Sequence, residues 1–387
     1  MYPKHTLADY LADLIVYRNL RPADERLPGL IEVWRQVGLD SPRIPRKTEP
    51  AYAAAIVHLL QAAQAARQAA PLRDALFIGD THMNDGTAAR NIGAHLPLRG
   101  FIGADRLSKP EQICYDGPLM VANRWRHLAQ WLSWVQSEGI ACDERTAVLV
   151  DIDKTCIGGR GRNDAVIDAA RVAAVRQTVE EVLGGEFDEV GFRSVYDTLC
   201  QAEYHPFTAD NQDYLAYISL MVVGGVMPAD EFWAELKAGR LTGFHQFLGL
   251  CHERRARMSS GLACVHTEVH GNVMRGDPTP FKSFRYREYF ATVQRMDFLP
   301  DTTPHTELLS REIVITAEVG ETLEQLSRRG ALIFGISDKP DEASLPPASS
   351  AGQGYQALHR TRMKVLGESQ PTSPALRPDY SLAPQSG

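Results

Sequence analysis

The stretch T-A-V-L-V-D-I-D-K-T at 146–155 sets two carboxylates and a hydroxyl, Asp151, Asp153 and Thr155, at alternating positions just after an uncharged apolar run. Ala147, Val148, Leu149 and Val150 read as a strand buried on both faces of a parallel sheet. Ligands of open α/β sheets bind outside the carboxyl ends of the strands, so acids delivered there favour chemistry over scaffolding. The plainer alternative is a helix entrance, since Asp and Thr also cap helices. Three further polar groups stand at comparable places. D-A-L-F-I-G-D at 74–80 is a second buried strand ending in an acid, and it continues through T-H-M-N-D to Asp85. A-L-I-F-G-I at 331–336 is another, followed by Ser337, Asp338 and Lys339. Lys47 lies in the turn P-R-K-T-E-P, at the entrance of an alanine-rich helix expected over 51–69, with Pro71 as its stop.

The remaining chain supplies the frame. Residues 1–45 read as two helical pieces, with Leu7, Leu11, Leu14 and Ile15 on one face and Leu30, Ile31, Val33 and Trp34 in the second. A third strand is expected around Gly100 to Gly103. Residues 119–139 read as one long amphipathic helix, whose Trp125, Trp131 and Trp134 have core spacing. G-G-R-G-R-N at 158–163 reads as a mobile or ligand-hugging loop before a helix over 165–183. From there to about Pro300 the pattern is mostly helical, and a helix over 317–329 leads into the strand ending at Ser337. The Pro-, Ser- and Gly-rich stretch 368–387 is expected to be disordered.

Composition limits the function classes. The chain has 387 residues, 44% hydrophobic and 23% charged, which fits about two soluble globular domains. A net charge of −7 and a pI near 6.0 argue against a nucleic-acid partner, while leaving room for a local basic pocket that holds one anion. No apolar run approaches the ~18 residues of a membrane span. Residues 1–20 carry Lys4, Asp9, Asp13 and Arg18 where a signal peptide would have its apolar core, so no membrane association and a cytoplasmic location are expected. Six dispersed cysteines without a C-x-x-C pair fit free thiols.

Taken together, the four clusters resemble the haloacid dehalogenase (HAD) superfamily of phosphohydrolases. D-I-D-K-T matches its D-x-D-x-T signature, L-I-F-G-I-S its apolar strand ending in Ser or Thr, R-K-T-E-P its lysine signature, and G-D-T-H-M-N-D its acidic signature with the acids five apart. The order is lysine, acid, nucleophile, Ser, whereas typical members run nucleophile, Ser/Thr, lysine, acid. That is a circular permutation of one set, with the Trp-bearing segment as the new connection. The resemblance implies a three-layer α/β Rossmann-like core with a parallel sheet and a mostly helical cap inserted after the nucleophile strand. The core would comprise 1–155 and 305–387, and the cap 156–304.

It also implies roles. Asp151 would attack phosphorus to form an aspartyl-phosphate, and Asp153 would protonate the leaving oxygen and then activate water. Ser337 and Lys47 would bind the phosphoryl oxygens. Mg²⁺, which takes a few hard oxygen ligands, would be held by Asp151, the Asp153 carbonyl and Asp80, with Asp85 in support. The expected activity is Mg²⁺-dependent hydrolysis of a small phosphorylated substrate. A phosphotransferase of the same fold and a non-catalytic phosphate-binding protein are the alternatives. Thr155, Arg160, Arg162, Lys282, Arg285 and Lys339 are candidate substrate contacts, and His82 in the acidic loop is another. Cys251, His252, Cys264, His266 and His270 invite a zinc reading, but their spacing lacks a C-x-x-C knuckle and the stretch looks helical. Oligomeric state is not readable from the chain.

Overall fold

The computed structural model describes residues 2–209 and 211–368; the tail expected to be disordered lies outside them except for Glu368. The described residues form ten strands, in chain order β1 (Lys4–His5), β2 (Ile15–Val16), β3 (Asp74–Gly79), β4 (Leu98–Gly103), β5 (Ile113–Asp116), β6 (Leu119–Ala122), β7 (Thr146–Asp151), β8 (Ile315–Thr316), β9 (Leu332–Ile336) and β10 (Met363–Leu366). Seven of them form one sheet in the order β2-β9-β7-β3-β4-β6-β5, and β1-β10-β8 form a small second one. Every pairing in the large sheet is parallel except β5 with β6. The chain is thus an α/β protein with a mainly parallel, Rossmann-like sheet.

Alternation along the central strands builds three layers. Leu76, Ile78, Val148, Val150 and Ile333 face one apolar core with Trp131, Val319 and Leu323, from helices Leu128–Ser137 and Ala317–Arg328. Ala75, Phe77, Ala147, Leu149 and Phe334 face another with Ile56, Leu60, Ala89 and Ile92, from helices Pro50–Ala66 and Asn84–Gly93. The helix that follows β3 therefore covers one face and the helix that leads into β9 covers the other. β3 and β7 meet where the winding reverses, and a crevice opens there at the strands' carboxyl ends.

Residues 170–291 pack into a separate, wholly helical core with Phe192, Tyr217, Phe247 and Phe284 at its centre. Cys156, Ile157, Val166 and Ile167 still belong to the sheet's core. The helix Asp164–Leu183 thus begins on the sheet and ends in the helical unit, where Lys282–Val293 packs along it. Among the described residues, no helix is long and apolar enough to cross a membrane.

Two local expectations are corrected. Among described residues 2–45 the helices are two single turns, Ala8–Leu11 and Leu30–Val33, and Ile15 lies in β2, because the edge of β9 offers it a backbone partner. The expected helix over 119–139 starts instead as the strand β6, hairpinned to β5 through Gly117 at φ +58°, and becomes helical only at Trp125, where a 3-10 turn, Trp125–His127, leads into the α-helix Leu128–Ser137. Asp116-Gly117 is a hairpin signal, and it prevailed over the amphipathic pattern. The loop at 158–163 is pinned, with the Arg160 carbonyl accepting from Asp105 N at 2.8 Å and Trp125 Nε1 at 3.3 Å. Gly161, at φ +78°, passes so close to the Asp105 carbonyl that a Cβ would lie 1.8 Å from its oxygen.

Candidate functional site

The crevice collects its side chains from four separated stretches. β3 and β7 pair in register from Asp74–Thr146 to Ile78–Val150, which sets Asp80 and Asp151 side by side just beyond the last pairs. β9 pairs with β7 on the other side, Ile336 opposite Asp151, so that Ser337 follows directly. Asp85 enters from the first turn of helix Asn84–Gly93 and folds back under the end of β3. Its Oδ2 accepts from Thr81 N and Thr81 Oγ1, each at 2.8 Å, and from Asp80 N at 3.0 Å. Gly79 makes that fold-back possible, since a Cβ there would meet Asp85 Cβ and Cγ at 2.6 Å.

Asp80, Asp85 and Asp151 each offer a carboxylate oxygen within 4.8 Å of the other two. Lys47, 4% exposed, reaches between them: its Nζ lies 2.6 Å from Asp85 Oδ1 and 2.6 Å from Asp151 Oδ1, with the Phe77 ring 5.9 Å away. Arg160 Nε pairs with Asp80 Oδ2. Three buried acids facing one lysine and one arginine leave the cluster short of positive charge, which suits a small divalent cation with hard oxygen preference.

The electrostatics follow from that shortage. Burial, then the neighbouring Asp85, pushes Asp80 up to about 7 against the pull of Arg160. Burial likewise holds Asp151 well above the usual carboxylate range, Lys47 opposing it and Asp85 and Asp80 adding to it. Burial would raise Asp85 as well, but Lys47 and the hydrogen bonds around it keep it lowered. Lys47 itself rises, because Asp151 and Asp85 outweigh the cost of its burial.

Asp153 sits on the other side of Asp151. Its Oδ2 accepts from Ser337 Oγ at 3.0 Å, and Lys339 Nζ lies 3.6 Å from its Oδ1, which has no hydrogen-bond partner. Lys154, between Asp153 and Thr155, adopts φ +64°, a conformation few side chains accept, so the backbone is forced at this turn. Thr155 is fully buried; its carbonyl accepts from Thr316 Oγ1 at 2.7 Å and its own hydroxyl is unpartnered.

The candidate substrate contacts divide. Lys339 reaches Glu288 Oε1 of the helical unit at 3.3 Å and so bridges that unit to Asp153. Arg162 is spent on Asp105 at 2.8 Å and on both oxygens of Glu318 at 2.8 and 2.9 Å. Arg285 is buried in the helical unit on Asp213 and Glu288, and Lys282 pairs with Asp277 and Glu342. These last three serve the fold through ion pairs. His82 lies at the surface, 2.6 Å from Asp116 Oδ2. Beside Asp80 opens a cavity of about 230 Å³ lined by His82, Arg106, Gln112, Cys114 and Asn123. A larger one, about 290 Å³, lies by Leu72 and Leu96 at the strands' amino ends, away from these acids.

Two participants escaped the sequence reading. Thr81 anchors Asp85, and its position directly after Asp80 was the available signal. Glu288 had none, because its approach to Lys339 depends on how the helical unit docks. Comparison with family models, with curated proteins and with solved structures finds no match to this chain.

Proposed function

We propose that the chain is a Mg²⁺-dependent phosphohydrolase of the HAD type, circularly permuted, with residues of the helical unit acting as its cap. The observation that carries the reading is the convergence of Asp80, Asp85 and Asp151 about Lys47, with Asp153 two residues further on held by Ser337 and Lys339. Mg²⁺ fits the three acids as a hard cation fits carboxylates, and there it would neutralise charge gathering on a phosphoryl group. Asp151 attacks phosphorus and the ester oxygen leaves, giving an aspartyl-phosphate. Asp153 gives that oxygen its proton, then takes one from the water that cleaves the intermediate. Lys47, fixed by Asp85, stands where it can pair with the phosphoryl oxygens as charge spreads over them. Ser337 shares its hydroxyl between Asp153 and the incoming phosphate. The cavity beside Asp80 offers room for the organic part of a small ester, next to Arg106.

The test is phosphate release from p-nitrophenyl phosphate and a panel of phosphorylated metabolites. Release should need Mg²⁺, stop in EDTA and vanish in Asp151→Asn. Undiminished turnover in EDTA, or in Asp151→Asn, would overturn the mechanism.

A further inference from the structure

The cavity beside Asp80 lies over the carboxyl ends of three neighbouring strands. His82 reaches it from the turn after β3, Ile102 from β4, Val121 from β6 and Asn123 from the residue after it, while Arg106 and Gln112 come from the connection that leads into β5. At about 230 Å³ it is smaller than the roughly 300–1,000 Å³ of pockets that take drug-sized ligands. Part of its lining is short and apolar, from Ile102, Ala104 and Val121, and among the described residues no Phe, Tyr or Trp lines it. A short aliphatic body fits such a space better than an aromatic ring.

The polar lining is already engaged, except at one residue. Asp80 pairs with Arg160, and His82 with Asp116. Asn123 Oδ1 accepts from Gln112 N at 2.8 Å, Asn123 Nδ2 donates to the Pro110 carbonyl at 2.7 Å, and Gln112 Nε2 donates to Cys114 Sγ at 3.2 Å. The Arg106 guanidinium is exposed and has no ion pair or hydrogen bond among the described residues. Its arginine neighbours are all spent: Arg90 on Asp116, Arg126 on Glu111, Arg162 on Asp105 and Glu318, and Arg124 on the carbonyls of Arg106, Lys109 and Asn123. The Arg106 backbone is nevertheless fixed. Its N donates to the Asn123 carbonyl at 3.1 Å, and its own carbonyl accepts from Lys109 N at 2.9 Å and Arg124 Nη1 at 2.8 Å. A cation held at its base and free at its tip, on the wall of a cavity, is ready to meet an anion brought to it. A planar guanidinium presents paired donors that match two oxygens of a carboxylate or a phosphate.

We propose that Arg106 selects phosphate esters whose organic part is short and ends in a second anionic group, a carboxylate or another phosphate. The inference rests on the hydrolase reading above and states which esters that site prefers. The phosphoryl group to be cleaved sits at the acid cluster, the carbons lie against Ile102 and Val121, and the far anion meets Arg106. The charges divide accordingly: Lys47 and Arg160 are committed to the acids, so Arg106 is the arginine of the cavity lining left for a second anion. Hydrogen bonds to charged groups contribute enough for about tenfold discrimination.

The experiment uses the full chain carrying Asp151→Asn with Mg²⁺ present, so that binding is read without turnover. Propyl phosphate is titrated by calorimetry beside the same three-carbon ester ending in a carboxylate and the one ending in a second phosphate. At least one charged-ended ester should bind about tenfold tighter than propyl phosphate, and which one does so identifies the anion. Adding Arg106→Ala should bring that ratio to within about twofold. The side chain it removes is exposed and touches no partner, and circular dichroism confirms that the variant folds. Equal affinities for all three ligands, or a preference that survives Arg106→Ala, would overturn the proposal. Phosphate release by the wild type from p-nitrophenyl phosphate, which carries no second anion, reports on hydrolysis alone, so the two readings fail separately.

Discussion

Lys47 Nζ donates to Asp151 Oδ1 at 2.6 Å across 104 residues of chain, and the same ammonium touches Asp85. A buried cation shared by two acids orients both and meets charge developing between them. Lys47→Ala should therefore lower kcat on p-nitrophenyl phosphate by about 10²-fold or more, with a smaller change in KM. Lys47→Arg should not restore it, because a planar guanidinium cannot replace a point charge in a space this closed. Steady-state kinetics of the two variants decide the matter, and a kcat within threefold of wild type would remove Lys47 from the reaction.

Asp80 gives a pH-dependent prediction with a definite sign. Its folded value, about 7, is above the unfolded 3.8, so without metal the native state gives up stability as pH rises between those values. Asp80→Asn removes that loss. In EDTA the variant should melt higher than wild type, by more at pH 8 than at pH 5, whereas in Mg²⁺ at pH 8 the wild type should recover. Wild-type affinity for Mg²⁺ should fall as pH drops from 8 to 6, because the ion displaces protons. Equal melting shifts at the two pH values would contradict this account.

Lys339 bridges Asp153 and Glu288, so it ties the motif loop to the helical unit. It contacts the acid expected to serve the leaving group, away from Asp85 and the Lys47 side of Asp151. Lys339→Ala should act mainly through KM, several-fold, with kcat largely kept. Glu288 is expensive to bury, but Lys339, Arg285 and Arg171 hold its carboxyl well below the usual range. Glu288→Gln strips those cations of a shared partner and should cost about 3 kcal/mol of stability, readable by urea denaturation. A large kcat loss in Lys339→Ala with normal KM would exchange the roles of the two lysines.

Gly79→Ala tests the fold-back of Asp85 directly. Its Cβ would meet Asp85 at 2.6 Å, so the acid must leave its place between Thr81 and Lys47. Mg²⁺ affinity should fall at least tenfold by calorimetry. Gly117→Ala is the control, since at φ +58° it faces open space and should cost only about 1 kcal/mol of stability. Similar metal affinity in both variants would show that Asp85 is not needed.

Two kinds of information separate cleanly in this chain. The buried strands were legible from sequence because they are short uncharged runs: β3, β7 and β9 appear where D-A-L-F-I-G, T-A-V-L-V-D and L-I-F-G-I predict them. The acids at their ends were legible for the same reason, a charge set directly after an apolar run being conspicuous. Local patterns failed where a neighbour decided the outcome. Ile15 became a strand because β9 had a free edge, and Leu119 became a strand because Asp116-Gly117 turned the chain back on itself. Tertiary structure alone decided which charged side chains meet. Arg160 and Arg162 are two residues apart in one loop, yet one reaches Asp80 and the other is consumed by Asp105 and Glu318. Glu288 reaches Lys339, and His252 reaches His266, only through the way helices pack. Periodicity records which face of an element is buried, and an ion pair between distant segments leaves no such trace in either segment.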